Sequence, residues 1–243
     1  MLKHILLLIF FIPFTQVYSQ WSLDLTAGFA FQGYNDVRIP SETGTKFDFN
    51  KDFEIEGPVI PVSLRAGYNF AEKNHLFLLY APLTINYEGP APYDINFQNT
   101  VFSEGSYIEG LYKFNSYRLT YRRDLLLTER WTLGVGFTAK IRDARIKLST
   151  DDLSDKKDDL GFVPLLNIFA AYNINGLTAY FEGDGLAGGP GRAFDFSAGC
   201  KVPLTDYLTV KGAYRFLEGG ADVEEVYNFT LINVANIGLI LNF

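Results

Sequence analysis

Cysteine is nearly missing from this chain. The one thiol, Cys200, leaves no internal disulfide to staple the fold. Histidine is almost as scarce: His4 and His75 are the only two in 243 residues. Chemistry that needs an imidazole therefore has one candidate outside the N-terminal region. No cluster of His and Cys has metal-ligand spacing, and no cofactor motif holds up. Gly183-Asp184-Gly185-Leu186-Ala187-Gly188 spells G-x-G-x-x-G, but Gly189, Pro190 and Gly191 follow where a helix would have to begin, so the nucleotide reading fails its context. Basic charge is also short, with 21 Lys and Arg against 28 Asp and Glu and a net charge of −7, which argues against a nucleic-acid partner. Beyond the N-terminal region, no run reaches the roughly 18 apolar residues of a membrane-spanning helix.

Alternation is what the chain has instead. In residues 227–243, Phe229, Leu231, Ala235, Ile237, Leu239, Leu241 and Phe243 fall on every second position, with Thr230, Asn236, Gly238 and Asn242 between them. A period of two marks a strand with one greasy and one polar face. A long strand of this kind, ending the chain on an aromatic ring, resembles the closing strand of bacterial outer-membrane β-barrels. The resemblance implies that Phe243 belongs to the signal read by the barrel-assembly machinery. The other end agrees. A short basic region, a run of ten apolar residues (5–14) and compact residues at Val17 and Ser19 predict a secretory signal peptide over 1–19, cleaved after Ser19. The Tyr18-Ser19-Gln20 end is similar to that of small uncharacterised barrels of Bacteroidota.

The same alternation predicts nine more strands. Trp21, Leu23, Leu25, Ala27, Phe29 and Phe31 line one face of the first, and Ile60 to Phe70 forms the second. The third carries Phe77, Leu79, Ala81, Leu83, Ile85 and Tyr87 as its apolar face, after a turn over 71–75. The fourth sets Ser116, Arg118, Thr120 and Arg122 against Tyr117, Leu119 and Tyr121, and its phase blurs before Asn115, which predicts a bulge there. The fifth to ninth follow over 131–142, 162–172, 177–184, 194–202 and 208–216. Long and short connections alternate along the chain, as they do in outer-membrane barrels. The expected fold is a closed, all-β, antiparallel up-and-down transmembrane β-barrel of about ten strands, a single domain over 20–243. Eight strands is the alternative, because the fourth and seventh are the weakest.

Parity then sorts the side chains. Trp21, Phe70, Tyr121, Trp131, Tyr172 and Phe243 fall at strand ends on one side, as a periplasmic aromatic girdle would. The inward face carries Asp24, Arg65, Arg118, Arg122, Lys140, Arg142, Glu182, Asp184, Asp195, Lys201, Lys211 and Arg215. In a narrow barrel such charges pair and plug the lumen; left unpaired, they would line a passage for anions. Glu182, Asp184 and Asp195 are the natural partners for Arg215, Lys201 and Lys211. The predicted outer loops are acidic: residues 36–56 hold six acids against three bases, and 218–225 four acids and no base. They read as solvated faces, with a divalent cation at 151–155 or a bridge to lipopolysaccharide phosphates as the alternative.

Small barrels similar to this one include lipid A deacylases, palmitoyltransferases, phospholipases and omptin proteases, families that use a catalytic histidine. His75 is placed in a periplasmic turn, away from the outward-facing active sites of those families. The expectation is therefore no catalytic residues, no metal and no cofactor. Leading is a structural or interaction protein of the outer membrane with a largely plugged lumen, touching lipids, lipopolysaccharide and other envelope proteins. A narrow, porin-like small-solute channel is second, and an enzyme without a catalytic histidine third.

Overall fold

The computed structural model describes residues 20–243; the expected signal peptide over 1–19 lies outside the described residues. Ten antiparallel strands close into a barrel: β1 (Trp21–Arg38), β4 (Val62–Phe70), β5 (Asn74–Ala81) with its continuation β6 (Thr84–Pro90), β9 (Tyr107–Leu127), β10 (Trp131–Ser149), β11 (Ser154–Ile174), β12 (Leu177–Gly188), β13 (Gly191–Pro203), β14 (Leu208–Val223) and β15 (Val226–Asn242). Each pairs with its neighbours in the chain, and β15 pairs with β1 to close the ring. At that seam Trp21 and Phe243 exchange two backbone hydrogen bonds of 3.0 Å. Trp21 and Phe243 thus sit with the four tight turns, at the turn end. The strand count is ten, and the fourth and seventh predicted strands are full members of the wall.

The outside is greasy in a band. On β1, Leu25, Phe29 and Phe31 are exposed, on β10 Val135, Phe137 and Ile141, and on β15 Ile237, Leu239 and Leu241. The band spans about eleven residues of each strand, which at about 3.3 Å per residue and a tilt of about 40° rises about 28 Å. That matches a hydrocarbon layer. Water would not leave such a belt uncovered on a soluble monomer.

At the other end the expected long loops are mostly strand. Residues 143–149 and 154–159 extend the β10–β11 hairpin, whose turn is only 150–153, and the turns at 189–190 and 224–225 are tighter still. Charge had hidden these extensions, since a hairpin standing beyond the membrane is polar on its outer face. Two connections are long, and they fold inward. Residues 39–61 carry β2 (Phe47–Asp48), the single-turn α1 (Phe49–Asp52) and β3 (Glu54–Ile55), and residues 91–106 carry the small hairpin of β7 (Ile95–Phe97) and β8 (Thr100–Phe102). Asp48 organises the first segment: its carboxylate accepts from the N–H of Asn50 at 3.0 Å, capping α1, and from that of Asn35 at 2.8 Å. Phe47, Phe49, Phe53, Ile95, Phe97 and Phe102 then pack on Ile85, Tyr87, Ile108, Tyr112, Leu148 and Ile232 of the wall. Phe49 stacks on Tyr87 with centroids 4.4 Å apart. It fits because residue 110 is glycine: a Cβ there would lie 2.6 Å from the ring. The outer half of the barrel is thus filled by an apolar cap.

Two register expectations change, and one bulge is added that the sequence does not announce. The bulge is not at Asn115, where pairing with Asp143 is continuous, but at the β9 turn end, where Leu125 is skipped. The phase blurred because the inward face turns apolar at Tyr112 and Ile108, not because it slipped. A second bulge at Gly33 of β1 swaps the faces beyond it, so that Asn35 and Val37 are buried. In β5 and β6 the expected apolar face points inward, with Ala81, Leu83, Ile85 and Tyr87 buried, while Leu76, Leu78 and Tyr80 face out. Both faces of that strand are apolar, and only its pairing to Leu64 and Tyr117 through Tyr80 chooses between them.

Phe49→Ala should cost about 3–5 kcal/mol of cap stability without opening the barrel wall. Limited proteolysis in detergent should cut within 39–61, while the unboiled protein still migrates as a folded barrel. A digestion pattern equal to wild type would contradict the cap.

Candidate functional site: the charged lumen

Below the cap the interior changes character. Even-numbered residues of β9, β10 and β12 and odd-numbered residues of β13 and β14 turn the predicted charges of these strands into the lumen. Arg118 stands at its centre, 4 % exposed. One guanidinium nitrogen donates to Asp184 at 2.8 Å, another to Asp195, and Nε to Ser116 Oγ at 2.9 Å. Asp184 also accepts from Thr138 Oγ1 at 2.6 Å and Asn167 Nδ2 at 2.8 Å. Asp195 takes a two-pronged contact from Arg215, at 2.7 and 2.6 Å. The chain of contacts runs from β9 to β12, β13 and β14, across the lumen rather than along its wall. Such bidentate guanidinium–carboxylate geometry fixes orientation as well as charge.

Nearer the turn end, Arg65 donates to Glu182 at 2.9 Å, with Arg122 at 4.0 Å from the same carboxylate, and Lys211 donates to Asp24 at 2.6 Å. Aromatic faces cover the cations: Arg65 lies 3.7 Å from the Phe77 centroid and Arg122 3.8 Å from that of Phe169. Arg142 sits higher and pairs with Asp159. Of the expected partnerships, Asp195 with Arg215 forms. Lys211 takes Asp24 instead, and Lys201, which forms no ion pair among the described residues, rests over the Tyr180 ring at 4.2 Å. Lys140 likewise forms no ion pair among the described residues and lies 4.7 Å from the Phe114 ring centroid.

Four further inward residues join the predicted charges: Asp124, His75, Asn69 and Asn167. Asp124 continues the even-numbered inward row of β9, which runs on to Leu127 with no polar-to-apolar alternation to extend it that far in the sequence. His75 is not in a turn. It lies on β5 facing inward, with Nε2 2.8 Å from Asp124 Oδ2 and Nδ1 2.7 Å from Asn69 Oδ1. The tight turn is 71–73, where Ala71 and Glu72 have positive φ of 49° and 59°, a conformation with no glycine to announce it. Among the described residues, no group of three or more His, Cys, Asp or Glu is arranged to hold a metal ion.

The space left is divided. A gap of about 110 Å³ lies within the Arg118 layer, and a vestibule of about 360 Å³ lies below it at the turn end, around Arg65, His75, Arg122 and Lys201. Arg65 and Glu182 line both. At the turn end the aromatic residues gather outside: Trp21 against Tyr68 and Trp131 against Tyr172, each with centroids 4.6 Å apart, and Phe70 against Tyr121 at 6.5 Å. Tyr68 is an addition to the expected set, and Phe243 stands exposed beside Trp21.

Lys211 and Asp24 provide a double-mutant test. Lys211→Met alone strands a buried carboxylate and should cost about 3–5 kcal/mol. Adding Asp24→Leu should recover most of that loss. Thermal unfolding in detergent, followed by loss of the fast-migrating band, reads both. Additive losses would contradict a direct buried pair.

No family model matches the chain, and no curated protein matches it. Solved structures do. The outer membrane protease OmpT from Escherichia coli is 11% identical, with 92% of this chain and 97% of that one covered and a TM-score of 0.51. The β domain of the Bordetella autotransporter BrkA is 11% identical over 92% and 99%, at a TM-score of 0.48. Ail of Yersinia pestis, in complex with sucrose octasulfate, is 11% identical over 92% and 99%, at 0.43. At such identities the shared property is the fold: this chain is a closed ten-stranded barrel of the outer-membrane kind.

Proposed function

We propose that the protein is an integral bacterial outer-membrane barrel that works as a structural or interaction protein, with its lumen closed by design. The turn end faces the periplasm and the cap and projecting hairpins face outward. Export uses the signal peptide over 1–19, and Phe243 serves the barrel-assembly machinery. Lipids, lipopolysaccharide and other envelope proteins are its partners. The observation that carries this reading is the Arg118 crossing: a guanidinium bound on two sides, by Asp184 and Asp195, beneath a cap with an apolar, phenylalanine-rich core. Moving an ion through that layer would mean breaking buried pairs, at about 3–5 kcal/mol each, and then crossing the cap. A channel is built the other way, with charges held along the wall and the axis left to water.

The same geometry weighs against enzyme chemistry. Both ring nitrogens of His75 are held, by Asn69 and Asp124, at the periplasmic side, so the imidazole has no free nitrogen for a substrate proton. Glu182 and Asp184, two carboxylates side by side on the inward face of β12, are each bound to arginine.

Planar-bilayer recording tests the proposal. The wild-type protein should give no steady openings, and Arg118→Ala with Asp195→Ala should raise the frequency of brief leaks without producing stable selectivity. Steady anion-selective conductance in the wild type, lost in Arg215→Ala, would establish the channel instead.

A further inference from the structure

The barrel wall is not paired along its whole height. β11 bonds to β10 from Ser149↔Ser154 to Trp131↔Tyr172, but to β12 only from Leu166↔Gly185 to Ile174↔Leu177. Beyond Leu166, β11 runs on to Ser154 with its other edge unpaired, while β12 ends at Gly188, paired to β13 alone. The split begins inside the greasy band: the outward residues just past it on β11, Phe162 and Leu160, are 68% and 75% exposed. Unpaired strand edge at that depth is tolerated only where it lines a cavity or is otherwise satisfied.

It does line a cavity. Behind the split lies a space of about 270 Å³, walled by Leu165, Ile146, Phe194, Leu217 and Tyr112, with charged residues among them. Nearly every charge that lines it is answered. Arg142 binds Asp159, Arg145 binds Asp158, Lys157 binds Glu225, Arg192 binds Glu218, and Asp195 is held by Arg118 and Arg215. Lys140 is the exception. It is 2% exposed and lines the cavity, and among the described residues no acceptor lies within hydrogen-bond or ion-pair distance of it; Asp195, the carboxylate nearby, is already held by Arg118 and Arg215. A buried ammonium is costly unless something pairs with it. The buried Nε of Arg142, lining the same space, likewise lacks an acceptor.

We infer that this cavity takes a single-chain anionic amphiphile from the outer leaflet, with its acidic head on Lys140 and its acyl chain running out through the split between β11 and β12. An apolar chamber with one unanswered cation at its inner wall and a lateral slot into lipid fits a long-chain carboxylate or an acyl chain of an acidic lipid. It fits neither a polar solute nor an uncharged hydrocarbon. The inference rests on the outer-membrane reading above, but not on the lumen being sealed, so a silent bilayer trace and a failed binding experiment are separate results.

The test is equilibrium binding of radiolabelled hexadecanoate to the purified full-length barrel in detergent. One saturable site is expected, with hexadecanol at least about tenfold weaker, the scale of one charge-assisted contact. Lys140→Met should lose affinity by a similar factor while its heat-modifiable migration stays normal. Ala144→Trp, which fills the cavity without touching charge, should lose binding too. Lys147→Met, on the outward face of the same strand, should bind as wild type does. Competition by dihexadecanoyl-phosphatidylglycerol would assign the site to membrane lipid, and its failure to compete would assign it to free carboxylate. Equal binding of hexadecanol, or unchanged binding in both Lys140→Met and Ala144→Trp, would overturn the inference.

Discussion

The structure depends on the seam between β1 and β15. In hydrocarbon no water is available to satisfy a free N–H or C=O, so a sheet can cross only if its first strand meets its last. Trp21 and Phe243 make that meeting with two backbone bonds, and the register then runs unbroken to Gln32↔Ile232 before the Gly33 bulge. With the ring closed at ten strands, parity is fixed for every residue of the wall. Each charge must face either lipid, where it is costly, or the lumen, where it can find a partner. The ion pairs of the interior follow from closure as much as from local sequence.

Closure also explains why the interior has two storeys. Within the membrane the lumen is lined by the polar half of each alternating strand, so it fills with paired charge and hydroxyls around Arg118. Beyond the membrane the strands continue, but the outside is now wet and the inside is free to become apolar. There the alternation inverts its chemistry, with Tyr112 and Ile108 inward on β9 and Ile146 and Leu148 inward on β10. The inserts at 39–61 and 91–106 supply the phenylalanines that complete this second core.

That inversion marks the limit of what could be read from the sequence. The terminal strand, the ten-strand count and the inward charges were legible because each strand crosses a layer with one greasy side and one polar side. The outer extensions were not, since residues 143–149 and 154–159 are as charged as a loop and as strand-like as the rest of the wall. The inward apolar face of β5 and β6 was unreadable for a different reason: both of its faces are apolar, and the choice belongs to long-range pairing. Asp124 and His75 were not legible because residues 71–75 and 124–130 hold no glycine or proline to mark where each strand ends and its turn begins. The gap between β11 and β12 has no local signal at all, because it is a difference between the lengths of two strands on either side of a two-residue turn.

Amide hydrogen exchange on the protein reconstituted in lipid tests the central claim most directly, that the ring is closed between β1 and β15. The account predicts that amides of β1 from Leu23 to Phe31 and of β15 from Leu231 to Asn242 resist exchange on both edges, as strongly as the central β9–β10 pair. Rapid exchange of alternate amides along the β1–β15 seam, with the rest of the wall protected, would show an open sheet and contradict it.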